Sequence, residues 1–434
     1  MDIVRLSSRL VGAAVICFAI AGVGFAQTTS PPDQHQHDKP AEPTRDQKLG
    51  MPGMSREGSG TSWLPDDSPM YVIHKMSGPW MLMVHGSAFV QFLRESGTRG
   101  SQQFGSINWV MGAAQRSAGP GTLGLRAMFS AEPATILGCG YPDLLASGER
   151  CDDEPIHDRQ HPHDLFMELA ASYDAPLMSH ARWQLYVAAA GEPALGPVAF
   201  PHRTSAMATP LAPISHHWLD ATHITYGVVT GGIYGTRWKA EASVFNGREP
   251  DEHRTNLELA RLDSVSGRLW FLPTSRLAFQ VSIGHLAEAE EGDHGASPVD
   301  VVRTTASATY HHPFDGTSVW ATTVAWGRNR ESERGSNAVL LETTLALDDR
   351  HTWYGRVEAV GKSSHDLAIP GADEQFTVAK LQGGYTRYLR AFGTVQPGVG
   401  AGVSLGIVPE ALKAQYGGRA NAGVAVYMTL RPAR

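Results

Sequence analysis

Long apolar runs are missing from this chain of 434 residues once residue 26 is passed, and charge is scarce throughout. No later stretch approaches the roughly 18 uninterrupted apolar residues that a membrane helix needs, which excludes helical spans from the mature chain. Charged residues make up 18% of the sequence, below the roughly 25% usual in soluble domains. The 36 Lys+Arg stand against 43 Asp+Glu, a formal charge of −7, so a nucleic-acid partner is not expected. Cysteine is nearly absent, with 3 in all. The first, Cys17, follows Ala14, Val15 and Ile16 and lacks the leucine-small-small pattern of a lipidation site.

The N-terminus does carry an address. Residues 1–26 read as a signal peptide: Arg5 and Arg9, an apolar run over 10–25, and the small residues Gly24 and Ala26 before a cleavage at Gln27. Residues 27–76 are rich in Pro, Asp, Gln, His and Gly, and read as a flexible periplasmic lead that holds His35, His37, Met51, Met54, Met70 and Met76. Residues 77–434 form the third part.

From Trp80 onward the pattern is one of segments about ten residues long with period-two alternation, broken by Gly, Pro, Asp and Asn. Leu277, Phe279, Val281 and Ile283 alternate with Arg276, Ala278, Gln280 and Ser282. A strand of that kind separates an apolar environment from a wet one. Sixteen such segments run from 80–94 to 417–430. Their connections alternate between long (132–164, 192–222, 246–260, 288–299, 361–375) and tight (117–121, 174–180, 313–317, 348–350). Long loops outside and short turns in the periplasm are the mark of an outer-membrane barrel. The expectation is therefore an all-β fold: one antiparallel transmembrane β-barrel of about sixteen strands, in the bacterial outer membrane. Trp80, Trp183, Trp238, Trp270, Trp320 and Trp353 fall beside the tight-turn end and read as an interfacial girdle.

Several side chains carry chemistry. Cys139 and Cys151 lie in one long connection of an exported chain and predict a disulfide. The same connection supplies His157, His161, His163 and Asp164; the next supplies His216, His217 and Asp220, with His223 just after it. Imidazole and carboxylate are ligands for copper or zinc, so a joint metal site is one reading. The other is that these loops, with Pro197, Pro201, Pro210 and Pro213, fold inward and plug the lumen. HPHD at 161–164 is followed by a strand and lacks the further ligands of a zinc hydrolase, and neither a nucleophile elbow nor a phosphate-binding loop is present, so catalysis is not expected. Arg126, Lys239, Glu241, Glu342, Arg356, Glu358 and Lys380 face the lumen in this register. That mixture of signs predicts weak ion selectivity or internal ion-pair ladders.

The blocks HPHDLFMELA, GEPALGPVAFPHRTSAM, PLAPISHHWLDATHITYGVVT and SVFNGREPDE resemble an uncharacterised group of bacterial proteins predicted to lie in the outer membrane. The resemblance implies a barrel and that location, and brings no activity with it. In layout alone, with QHQH at 34–37 and MPGM at 51–54, the chain is similar to the copper-resistance B proteins. The function expected is porin-like passage or surface binding of a small solute, with loops 132–164 and 192–222 plugging or gating the lumen. Copper or zinc handling is the alternative, and a structural surface barrel a third. The partners expected are outer-membrane lipid and lipopolysaccharide, the barrel-assembly machinery, the solute, and further copies of the chain against the Gly/Ala-rich wall of 394–407 and 417–430.

Overall fold

The computed structural model describes residues 56–434 except 153, 291–297, 333 and 371–373. The signal peptide and most of the lead, with His35, His37, Met51 and Met54, lie outside the described residues. Sixteen antiparallel strands close into a barrel. In chain order they are β1 Trp80–Glu95, β2 Gln102–Ala118, β3 Gly121–Phe129, β4 Phe166–Met178, β5 Ala181–Gly191, β6 Thr225–Tyr234, β7 Trp238–Phe245 and β8 Ser264–Thr274. Then follow β9 Leu277–Glu290, β10 Val299–Pro313, β11 Val319–Glu331, β12 Arg334–Leu347, β13 His351–Ser363, β14 Gln375–Tyr388, β15 Val395–Ile407 and β16 Ala420–Pro432. Each strand pairs with the next, and β16 closes on β1 from Gly423 opposite Glu95 to Leu430 opposite Ala88. A short strand, Ile73–Ser77, extends β1 by a hairpin.

The alternation read from sequence is the alternation of the two surfaces. On β8 and β9, Val265, Leu269, Phe271, Phe279, Val281 and Ile283 are exposed, while Arg268, Gln280 and Ser282 between them are buried. Apolar side chains outside and polar ones inside invert the arrangement of a soluble protein, and a belt of that kind suits hydrocarbon. The closing wall uses small residues to seat large ones. A Cβ at Gly400 would lie 2.4 Å from the Tyr427 ring, and one at Gly384 would lie 2.3 Å from the Tyr354 ring. Exposed Val403, Val424, Val426 and Met428 cover the outside of that wall.

Two expectations need correction. Trp80, Trp183, Trp238, Trp320 and Trp353 sit on outward positions, but Trp270 is buried inside, its indole N–H donating to Glu241 Oε1 at 3.2 Å. Its neighbours Leu269 and Phe271 face outward instead. The end of the lead is also packed. Trp63 and Leu64 are buried against Tyr234, Trp270, Leu272 and Ala278, because the Trp63 ring lies 4.7 Å from both the Lys239 ammonium and the Arg56 guanidinium.

A closed ladder resists detergent until heated. Protein extracted from an outer-membrane fraction and run unboiled is expected to migrate faster than the boiled sample; a single unshifted band would contradict the closed barrel.

Candidate functional site

The lumen is filled by two of the long connections. The first, between β3 and β4, opens with a short helix, α1 (Glu132–Thr135), continues as a hairpin of Tyr141–Cys151 with Glu154–Gln160, and is tied by the disulfide between Cys139 and Cys151. The second, between β5 and β6, crosses the interior and contains another short helix, α2 (His216–Leu219). Prolines at 193, 197, 201, 210 and 213 keep this run from continuing as strand or helix.

The lumen charges are the docking points of these loops. Arg203, fully buried, donates from Nε to Glu342 Oε1 at 2.6 Å and from Nη1 to Asp220 Oδ2 at 2.9 Å. Ser205 donates to the same Glu342 oxygen at 2.8 Å. Arg356 bridges Glu342 (3.1 Å) and the Leu211 carbonyl (2.9 Å), and Glu358 accepts from Ser215 N–H and Oγ. Arg268 joins Glu241 to Glu192 and the Gly196 carbonyl. Lys380 holds Asp143 at 2.6 Å and Glu95 at 3.1 Å. Lys239 reaches Glu241 at 3.3 Å and the Thr61 carbonyl, and Arg126 reaches Glu168 at 2.7 Å and the Gly60 carbonyl. Every charge named from the alternation lies inside, and each meets an opposite charge, a loop group or both.

The histidines divide into groups. His157 stands apart, bonded to Asp158 and Arg99. Asp164 pairs with Arg254 at 3.7 Å, and its carboxyl is pushed up to about 6 by burial, which Arg254 only partly offsets. His161, His163, His216, His217 and His223 form one buried cluster with ring centroids 5.1 to 6.4 Å apart. Each holds a partner through Nδ1: Glu132 for His163, Asp220 Oδ1 for His216, Glu249 for His217, all at 2.9 Å, and the carbonyls of Asp220 and Pro162 for His223 and His161. Among the described residues the Nε2 atoms of His217 and His223 have no hydrogen-bond partner, and that of His161 lies 3.1 Å from Glu149 without hydrogen-bond geometry. Burial pushes His161, His216 and His223 below the usual imidazole range, which keeps them neutral. A neutral ring oriented through Nδ1 is the form in which histidine ligates metals. Among the described residues, however, the only set of three histidine, cysteine or carboxylate ligand atoms within 4.8 Å of one another is Cys139, Cys151 and Asp152, whose sulfurs are spent in the disulfide. The imidazoles would have to turn to share an ion.

Two cavities flank this cluster. On the long-loop side, a mouth of about 520 Å³ is lined by His217, His253 and His365 and by eight carboxylates, among them Glu149, Glu249, Asp251 and Glu252, against Arg150 and Arg248. On the tight-turn side, a chamber of about 150 Å³ is lined by Met70, Met83, His85, Trp109, Met111, His202 and Met207. His202 Nε2 lies 3.4 Å from Met128 Sδ, and its ring is 5.3 Å from that of His85 and 4.7 Å from that of Trp109. Sequence reasoning missed Glu132, Glu249, His85 and Met128, because each is far along the chain from the histidine it serves. Only the residue types were visible.

No family model matches the chain, and no curated protein matches it, so neither the block-level resemblance nor the copper-resistance layout gains support from sequence. Solved structures do match. OmpF of Salmonella typhi, in complex with daunomycin, aligns over 83% of this chain and 100% of its own at 10% identity and a TM-score of 0.50. An anion-selective porin from Comamonas acidovorans aligns over 81% and 99% at 9% identity and a TM-score of 0.49. At such identity the first of these likenesses shows the fold, a porin-type barrel.

Proposed function

We propose that the chain is an outer-membrane barrel of porin type, closed by its own outer loops, which binds a small cationic solute at its outside mouth and admits it selectively. The observation that carries this reading is the buried run of residues 192–223 across the lumen, docked by Arg203, Arg268, Arg356 and Glu358. An open general pore has no use for charges neutralised by a plug. Orientation follows from loop length, with the long connections outside. The mouth, with eight carboxylates against Arg150 and Arg248, then faces the exterior, where a recess with an excess of acid concentrates cations.

Planar-bilayer recording of the intact protein is expected to show no current steps of general-porin size. Stable steps of that size in the unaltered protein would overturn the closed-barrel reading.

A further inference from the structure

We infer that the interior holds a transition-metal site suited to copper(I), in the methionine and histidine chamber, reached from the mouth through the imidazole cluster. The route in rests on the cationic-solute reading above; the ligand set does not.

The donors are of one chemical kind. Met128 Sδ and His202 Nε2 already stand 3.4 Å apart, His85 faces His202, and Met83, Met111 and Met207 line the same space. Thioether and imidazole are uncharged, soft to borderline ligands that select copper(I) over calcium or magnesium, and thioether gives little to zinc. Methionine is more often a filler of core gaps, and Met128 is buried beside the chamber with Trp109 and Met111, but Met70, Met83, Met111 and Met207 border the open cavity. His85 is fitted into it without a hydrogen bond to either ring nitrogen among the described residues, and the one polar contact of the His202 ring is a sulfur. Charge points the same way. Arg126, paired with Glu168 at 2.7 Å, and Arg431, stacked on Tyr71 and Tyr388, both border the chamber, with Glu57 in the same lining, so the surroundings lean positive. A monovalent ion meets less repulsion there than a divalent one.

The imidazoles also form a line. His217 is 5.4 Å from His216, His216 is 5.1 Å from His223, and His223 is 5.3 Å from His163, centroid to centroid. His163 and His223 both pack on Phe200, two residues from His202. His217 lines the mouth and His202 the chamber, so successive donors run from one cavity to the other.

Silver(I) takes the same donors as copper(I) without redox chemistry and serves as the probe. Folded, detergent-purified protein, desalted after exposure to Ag⁺, is expected to retain the ion with both nitrogen and sulfur neighbours in X-ray absorption. The Met111→Leu/Met128→Leu pair, close in volume to the native residues, is expected to keep the heat-dependent gel shift and lose the sulfur neighbours together with the retained silver. Retention with nitrogen neighbours only, unchanged in the methionine variant, would overturn the chamber site and leave the cationic-solute reading standing. Retention no greater than in an unrelated refolded porin would also overturn it, while bilayer recording tests the closed barrel independently.

Discussion

Arg203→Ala is expected to convert a closed barrel into a conducting one. The side chain is fully buried and carries two carboxylates at once, Glu342 from the wall and Asp220 from the plug. Removing it leaves the buried Asp220 without its guanidinium and Glu342 with Arg356 alone, a loss of about 3–5 kcal/mol for breaking a buried pair from one side. The plug has the cheaper way out: moving Asp220 and the 196–214 run towards water relieves both acids and breaks no inter-strand bond. The wall should survive, because its ladder of strand pairs makes no use of Arg203, and the heat-dependent gel shift should persist. Arg203→Lys should open less, since an ammonium keeps the charge but cannot present two directed donors to two acids. Bilayer current through Arg203→Ala decides the matter; a folded variant that stays as closed as the native protein would show that the plug is held by packing alone. The opened channel should favour cations, because the acidic mouth remains in place.

The barrel was legible because it rests on a one-dimensional signal. Period-two alternation and the contrast between long and tight connections need no knowledge of partners, and all sixteen segments from β1 to β16 lie where the alternation puts them. Trp270 shows where depth alone misleads: it stands at girdle height, but the parity of Leu269 and Phe271 turns it inward. The packed end of the lead was hidden for another reason. Residues 56–72 look too polar to bury, and Lys239, one of the two cations that seat Trp63, comes from far along the chain. The histidine cluster was half legible. Two loops at one end of a barrel bring their imidazoles together by topology, but the acids that orient them, Glu132 and Glu249, come from positions that no local pattern marks.

Acid should open the metal-free plug only below about pH 4.5, in spite of its histidines, because two sets of groups oppose each other above that value. Burial lowers His161, His202, His216 and His223. Groups lowered in the packed state take up protons on opening, so the stability they give is complete above the ordinary imidazole value of about 6.5 and is lost as the pH falls. Burial also raises loop acids: Glu149 to about 8, Glu192 and Glu258 to about 7, and Asp143 and Asp164 to about 6. These bind protons in the packed state first, so acidification favours closure until the opened state is protonated too, near the ordinary carboxylate values of about 4. Four histidines against five acids leave little net proton uptake on opening between about pH 6.5 and 4.5. Below that the acids fall silent while the histidines still resist protonation. Asp220, which Arg203 and His216 hold low against the effect of its burial, stays charged in the packed plug but takes up a proton on opening once the pH nears the ordinary carboxylate value of about 4. Both changes push towards opening. Conductance or protease cleavage within 192–223, followed from pH 7 to pH 3, should stay flat and then rise steeply; a midpoint near pH 6 would mean that the buried acids do not share the plug's equilibrium with the imidazoles.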